Sequence, residues 1–403
     1  MIIGIFILLS LTFINLYLYR DIMHPTPIFC LLWLMQLIGV YFFHQIYTPL
    51  SLTVISIVIL GVISFSLGGW FGSFFNRINI KSERVFNQSN IFFSILFLIC
   101  VYSFFAKVNI VFDQPGDSLA RKMIGLRVRE SIDNEDVFGI HKYFSTLSIA
   151  LLLFVALVRK KINTSKLIKF LYPVLFTICF LSSFFSSGRL PIIILVVMLS
   201  LVAILNYNNT NKALFISAST SIPIVVGIFW GVGIIYGKVD NTFNDLLYNF
   251  TTYIFSGLPA LDSYIHSPEF MNRPLSLGEH TFRLIQAIGS KIGIVEPPAP
   301  LVQEFVQVPH YTNLYTIFHI YIKDFSYIGV FIFLFLIGMG HSLIYIIYKK
   351  NITNEFIKYF LILSYIPLVQ VIFQETYFSL LSTWVQFIIL AFILTIPNRG
   401  GHA

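Results

Sequence analysis

Charge is what this chain has least of. Only 11% of its 403 residues are Asp, Glu, Lys or Arg, less than half the roughly 25% of a soluble domain. With a mean hydropathy of +0.83, that excludes a water-soluble globular protein. Cysteine is nearly as scarce. Cys30, Cys100 and Cys179 all fall inside apolar runs, so neither a disulfide framework nor a thiolate zinc site is available, and the three read as small core hydrophobes. The alternating ten-residue pattern of an outer-membrane barrel is missing. So are a Walker loop, a GxGxxG loop, an internal repeat and a low-complexity tract. There is no pair of short broken helices of the kind that marks inverted-repeat transporters. The acidic run "DNED" (133–136) reads as a solvated turn rather than a metal cluster.

What fills the chain instead is apolar sequence, 57% of residues, arranged in runs of about 20, the length needed to cross a hydrocarbon layer about 30 Å thick. In lipid each run must satisfy its own backbone, so each is expected to be a helix. Eleven such runs fall at 1–19, 27–46, 50–75, 91–111, 141–158, 170–187, 190–206, 213–236, 325–348, 356–373 and 379–396. The expected class is an all-α polytopic membrane protein. The first run lacks a basic n-region and a small-residue cleavage site, so it reads as a retained helix with its N-terminus outside.

Orientation follows from the loops. "NRINIKSER" (76–84), "RKKINTSKLIK" (159–169) and "YKKNITNE" (348–355) are short, basic and on one side of the eleven-span layout, which the positive-inside rule assigns to the cytoplasm. The C-terminal "PNRGGHA" falls on the same side. That side holds 14 Lys/Arg against Asp21, Glu83 and Glu355, and the other holds 12 Lys/Arg against 15 acids. The net charge of +8 and the pI near 9.2 therefore reflect topology. They do not point to nucleic acid, and no aromatic-basic nucleic-acid motif is present.

The non-cytoplasmic side carries two long loops, 112–140 and 237–324, and three short turns. In "SSGRLP" (186–191), Gly and Pro predict a bend between two spans, with Arg189 at the outer membrane face. Snorkelling to headgroups is its plain role. In the first loop, Ser118 is placed to cap a helix running to about Glu130. This helix carries Arg121, Lys122, Arg127 and Arg129. Four cations on this side run against the orientation bias. They serve either an anionic ligand or pairing with Glu130, Asp133, Glu135 and Asp136. In the second loop, "DLLYNFTTYIFSGLPALDSYI" (245–265) is apolar enough to lie along or dip into the interface. Ser276 and Glu279 have capping-box spacing. The helix expected after them carries Leu284, Ile285, Ile288 and Ile292 on one face and His280, Arg283 and Lys291 on the other. "EPPAP" (296–300) ends it, and "HYTNLYTIFHIYIKDFSYIG" (310–329) leads into the ninth span.

The stretch "TNLYTIFHIYIKDFSYIGVFIF" (312–333) resembles the signature of bacterial O-antigen polymerases of the Wzy type. In that family the large periplasmic loop ends in an Asn-hydrophobic-Tyr-Thr motif, an aromatic-rich stretch and an Asp-aromatic pair entering a membrane helix. Here these are Asn313, Tyr315, Thr316, Phe318, Tyr321, Asp324 and Phe325. "FSGLPALDSYI" (255–265), "GEHTFRLI" (278–285) and "SSGRLPI" (186–192) are similar to further family stretches. Two positions depart from the pattern. Ser326 stands where many members have Gly, and His319 where Arg is often found.

The resemblance implies a GT-C-like fold of about 11 spans in the bacterial inner membrane, with the N-terminus periplasmic and the C-terminus cytoplasmic. It implies transfer of a growing glycan from undecaprenyl pyrophosphate to a new lipid-linked repeat unit. The partners are then lipid-linked repeat units, membrane lipids and a chain-length regulator, with no metal, cofactor or nucleic acid required. Such a reaction needs cations for a pyrophosphate leaving group and a base for the acceptor hydroxyl. The candidate cations are Arg189, Arg283, Arg273, Arg121, Arg127 and Arg129. The candidates for acid–base work are His280, His319 and Asp324, with Glu279 and Asp262 behind them, and Asn313 and Tyr315 are candidate substrate contacts. An O-antigen ligase uses the same carrier and nearly the same chemistry. A flippase or transporter of lipid-linked sugars would need charge along a path inside the spans, whereas the ionisable residues here gather in outer loops. A non-catalytic scaffold would leave the outer arginines without a purpose.

Overall fold

A computed structural model describes residues 1–75, 84–86, 89–131, 137–159, 165–186, 190–207, 210–235, 242–272 and 274–397. It is almost wholly helical. In chain order the elements are α1 (Ile2–Tyr19), α2 (Pro25–Phe42), α3 (Leu52–Ser73), β1 (Arg84–Phe86), α4 (Asn90–Phe112), α5 (Leu119–Ser131), α6 (His141–Val158), α7 (Lys166–Phe185), α8 (Leu190–Leu205), α9 (Thr210–Ile235), α10 (Phe243–Phe255), α11 (Gly257–Ile265), α12 (Pro268–Asn272), α13 (Arg283–Lys291), β2 (Val306–Gln307), β3 (Tyr311–Thr312), α14 (Thr316–Lys350), α15 (Glu355–Gln370), α16 (Leu381–Leu394) and β4 (Thr395–Pro397). Among the described residues eight helices have the length and hydropathy of a membrane span, namely α1 to α4, α6, α7, α9 and α14, and α8 and α16 are shorter apolar helices. The chain is an all-α, multi-pass membrane protein.

Local sequence explains where several helices begin. Ser51 and Ser165 accept from the N–H groups of Val54 and Ile168, and His24 Nδ1 accepts from Thr26 N–H just before Pro25 opens α2, satisfying donors that a helix start leaves unpaired. The Ser118 hydroxyl likewise accepts from Arg121 N–H, and α5 runs to Ser131, as the sequence predicts. All three cysteines are buried and free.

The chain packs as two compact units. One comprises 1–80, 247–351 and 367–382, and the other 81–246, 352–366 and 383–403. In the first unit the central contact is α3 against α14. Gly68 lies so close to the Phe335 carbonyl that a Cβ there would sit 1.9 Å from its oxygen, and at Gly338 a Cβ would sit 2.2 Å from the Phe65 oxygen. With no hydrophobic drive between helices in lipid, such backbone approach over small residues is how spans gain packing energy. Beside it Phe29 stacks on Phe65 at 4.0 Å and Trp33 packs on Phe318 at 4.4 Å.

In the second unit α4 and α6 to α9 pack together, and β1 pairs antiparallel with β4. Phe154 is fully buried between the rings of Phe86 and Tyr359. Arg84 closes the pairing, donating to Thr395 and the Phe392 carbonyl. Met123 and Leu126 seat α5 on a small core with Val111, Phe138, Ile192 and Val232.

Three expectations change. The helix expected from Ser276 begins only at Arg283. Leu277 (φ 45°) and Gly278 (φ 96°) turn the chain the wrong way for an α-helix, and residues 277–282 form turns instead. The apolar run at 245–265 divides at Ser256 into α10 and α11, and Leu258, Ala260 and Leu261 of α11 are fully buried against α3 and α14. The third is the approach to the ninth span, where residues 317–325 form a short helix that the non-helical Ser326 separates from the span itself. Ile317, Phe318, Tyr321 and Ile322 are fully buried there, and a helix is the form that pairs the backbone of such a dry segment.

Candidate functional site

The segment 317–325 is a short helix held under strain at both ends. Thr316 has φ 66° and Ser326 has φ 59°, ψ −158°. The first is an outlier for a β-branched residue and the second a conformation that glycine favours. Among the described residues four non-glycine positions have positive φ. Three of them, Leu277, Thr316 and Ser326, lie at this segment or on the turn that clamps it. Such strain costs about 1–3 kcal/mol per residue and clusters at functional sites.

What compensates is hydrogen bonding. At the strained start, Thr316 N–H donates to the Phe373 carbonyl and Ile317 N–H to that of Val371. At the other end Asp324, fully buried, receives three N–H groups from the 277–282 turn. Thr281 N–H reaches Oδ2 at 2.7 Å and His280 N–H at 3.1 Å, while His280 Nδ1 lies 3.0 Å from Oδ1. Leu277 N–H also donates to the Asp324 carbonyl. A carboxylate only accepts, so Nδ1 carries the imidazole proton, assigned here from its partner. Nε2 is then the basic ring nitrogen. One-tenth of the His280 side chain is exposed.

Three residues on, Arg283 opens α13. It is half-buried, and one of its terminal nitrogens, Nη1, is sealed from solvent without a hydrogen-bond partner. Among the described residues no carboxylate pairs with it. Burial pulls the guanidinium below its usual value, yet an arginine stays protonated there. Phe282, between the two, packs on Phe325, Phe333 and Phe378. The turn therefore presents an oriented imidazole and a cation lacking an anion.

On the same short helix Tyr321 donates to Glu375 Oε1 at 3.1 Å, and Glu375 also accepts from the N–H groups of Tyr377, Phe378 and Ser379 at 2.7–2.8 Å. Burial pushes the Glu375 carboxyl up and the N–H donors pull it back, with a net rise. In the sequence Glu375 is marked only as an acid in the short polar break between the last two apolar runs.

The other candidates are placed as follows. His319 is 3% exposed, its ring stacked on Tyr315 and edge-on to Tyr264, each at 4.4 Å. The Tyr315 hydroxyl donates to the Glu304 carbonyl, and burial raises it to about 12. Asn313 is half-buried in the approach to α14. In the second unit Arg121 pairs with Asp117, an acid just upstream of α5, at 2.9 Å on an exposed surface. Lys122 donates to the Phe112 carbonyl and Arg129 to Gln114. Arg127 lies on α5, its side chain outside the description, and Arg189, Arg273, Asp133, Glu135 and Asp136 lie outside the described residues. Nor are all ionisable groups in outer loops. Lys107 of α4 and His341 of α14 are buried inside spans, Lys107 beside Ser145 and His341 bonded to Tyr377.

No family model matches the chain, and neither does any curated protein or solved structure. The functional reading rests on the site itself and on the short resemblances in the sequence.

Proposed function

We propose that the chain is an O-antigen polymerase of the Wzy type, a metal-independent glycosyltransferase at the periplasmic face of the bacterial inner membrane. The observation that carries it is the half-buried Arg283, without an acidic partner among the described residues, one turn beyond a histidine oriented by a buried aspartate. In this reading the acceptor sugar hydroxyl attacks the donor's anomeric carbon. The new glycosidic C–O bond forms, the bond to the pyrophosphate oxygen breaks, and undecaprenyl pyrophosphate leaves with the bonding electrons. His280 Nε2 takes the hydroxyl proton while Asp324 holds Nδ1–H and balances the imidazolium. Oriented acid–base catalysis of this kind contributes typically about 10²–10⁴-fold. Arg283 meets the charge growing on the pyrophosphate, where a fixed cation acts with little reorganisation. Arg273, on the same loop, is a further cation in this reading, and Arg189, Arg121, Arg127 and Arg129 are anion contacts of their own segments. Asn313 and Tyr315 shape the approach. His319, packed between two tyrosines, supports the wall and takes no proton. The same reading carries eleven spans in a GT-C-like arrangement, N-terminus periplasmic and C-terminus cytoplasmic, and a chain-length regulator as partner.

A flippase of lipid-linked oligosaccharides is the second reading. It is favoured by the break in α14 and by the buried Asp324, Glu375, His341 and Lys107, since discontinuous helices and intramembrane ionisable groups line transport paths. Lipopolysaccharide gels separate the two. A strain lacking the gene should show core plus a single repeat unit. Wild-type chain should restore the ladder, and His280→Ala, Arg283→Ala and Arg189→Ala should not. Core with no repeat unit points to the flippase or to a ligase, and an unchanged ladder in the deletion strain removes the glycan assignment.

A further inference from the structure

Outside the His280–Asp324 turn, the first unit contains a cavity of about 450 Å³ between α11, the loop before α3 and the β2–β3 hairpin. That size lies within the range of small-ligand sites. Its polar wall is Thr48, Ser51, Asp262, Ser263, His266 and Gln307, and among the described residues no lysine or arginine lines it. Tyr47 and the prolines Pro49, Pro259 and Pro309 supply apolar faces. Asp262 is the pivot. Its Oδ2 accepts Ser51 N–H at 2.7 Å, tying α11 to the start of α3. Its Oδ1 is buried without a hydrogen bond. His266 Nδ1 lies 3.1 Å from that oxygen and 2.8 Å from the Asp262 backbone carbonyl, and 16% of the Asp262 side chain, which lines the cavity, stays exposed.

We propose that this cavity is a seat for an uncharged sugar residue. A wall whose described residues offer a carboxylate, an amide and hydroxyls, with no Lys or Arg among them, repels phosphate and suits a ligand rich in hydroxyl groups. The Asp262 carboxylate accepts a sugar O–H. Gln307 and Ser263, both exposed, donate to or accept from neighbouring hydroxyls, and the prolines and Tyr47 cover the C–H faces of the ring. The inference rests on the polymerase reading for the ligand being a glycan. It separates the two ends of that substrate, with glycan here and pyrophosphate at Arg283.

Ser263→Cys tests it. The three native cysteines are buried, so this is the accessible thiol. Its alkylation by iodoacetamide is timed in the full chain in lipid nanodiscs. The probes are the methyl glycosides of glucose, galactose, rhamnose and N-acetylglucosamine, with glucose 1-phosphate as the anionic probe. At least one neutral glycoside should slow alkylation severalfold and saturably, and glucose 1-phosphate should not. Adding Gln307→Ala, at an exposed position that the fold does not need, or Asp262→Asn should raise the half-protecting concentration about tenfold, the effect of one lost hydrogen bond to a charged or amide group. Absence of protection by every neutral glycoside overturns the proposal. So does equal protection by glucose 1-phosphate, or protection that neither substitution weakens. A normal ladder in the His280→Ala strain would sink the polymerase mechanism and leave the thiol result standing, so the two failures are told apart.

Discussion

Asp324→Asn separates the two jobs of the buried carboxylate. In the native turn Oδ2 takes two backbone N–H groups and Oδ1 faces His280 Nδ1. Backbone donors cannot be reversed, so the asparagine oxygen must face Thr281 and His280 N–H, and its NH₂ must face Nδ1. Nδ1 then has to accept, and the ring proton moves to Nε2, where the base is needed. The fold loses only charge assistance, about 1–2 kcal/mol. In the polymerase reading the reaction loses its base, about 10²–10⁴-fold, equivalent to roughly 3–5 kcal/mol of barrier. Asp324→Ala is different. It orphans two buried backbone N–H groups at about 1–3 kcal/mol each and frees the turn from the short helix, so folded protein should fall sharply. The assays are thermal unfolding in nanodiscs, histidine nitrogen NMR for the tautomer, and the lipopolysaccharide ladder. A well-folded Asn variant with a full ladder refutes the assignment of His280 as base. An Asn variant as unstable as Ala refutes the account of the hydrogen bonds.

Ser326→Gly should raise the unfolding temperature by relieving the strain at φ 59°, a net gain of about 1 kcal/mol after glycine's entropy cost, while Ser326→Val should lower it. Gly338→Ala places a Cβ 2.2 Å from the Phe65 carbonyl oxygen and should cost about 1–3 kcal/mol or more. Gly125→Ala on α5, with nothing near its Cβ position, should be neutral or stabilising by up to about 1 kcal/mol. Burial holds His24 down to about 3, below its unfolded value near 6.5. The unfolded chain therefore takes a proton that the folded one refuses as pH falls from about 6.5 towards 3, and stability should drop by up to ~1.4 kcal/mol per pH unit in that window. His24→Asn, which still caps Thr26 N–H but does not titrate, should flatten that dependence in unfolding titrations.

The sequence by itself determined the membrane class and the place of nearly every helix. Each apolar run lies on a helix, and Ser118 caps α5 as the sequence predicts. These features were legible because lipid leaves the backbone one solution and because caps act within a few residues. It also picked out His280, Arg283 and Asp324, though not how they meet. Only the tertiary structure brought His280 onto a carboxylate 44 positions away, broke α14 at Ser326, moved the start of α13 to Arg283 and made Glu375 a partner of Tyr321. Those choices depend on donors and acceptors far apart in the chain finding one another in a dry interior. No local pattern encodes them, because the energy that stabilises each strained turn comes from a segment the turn does not contain.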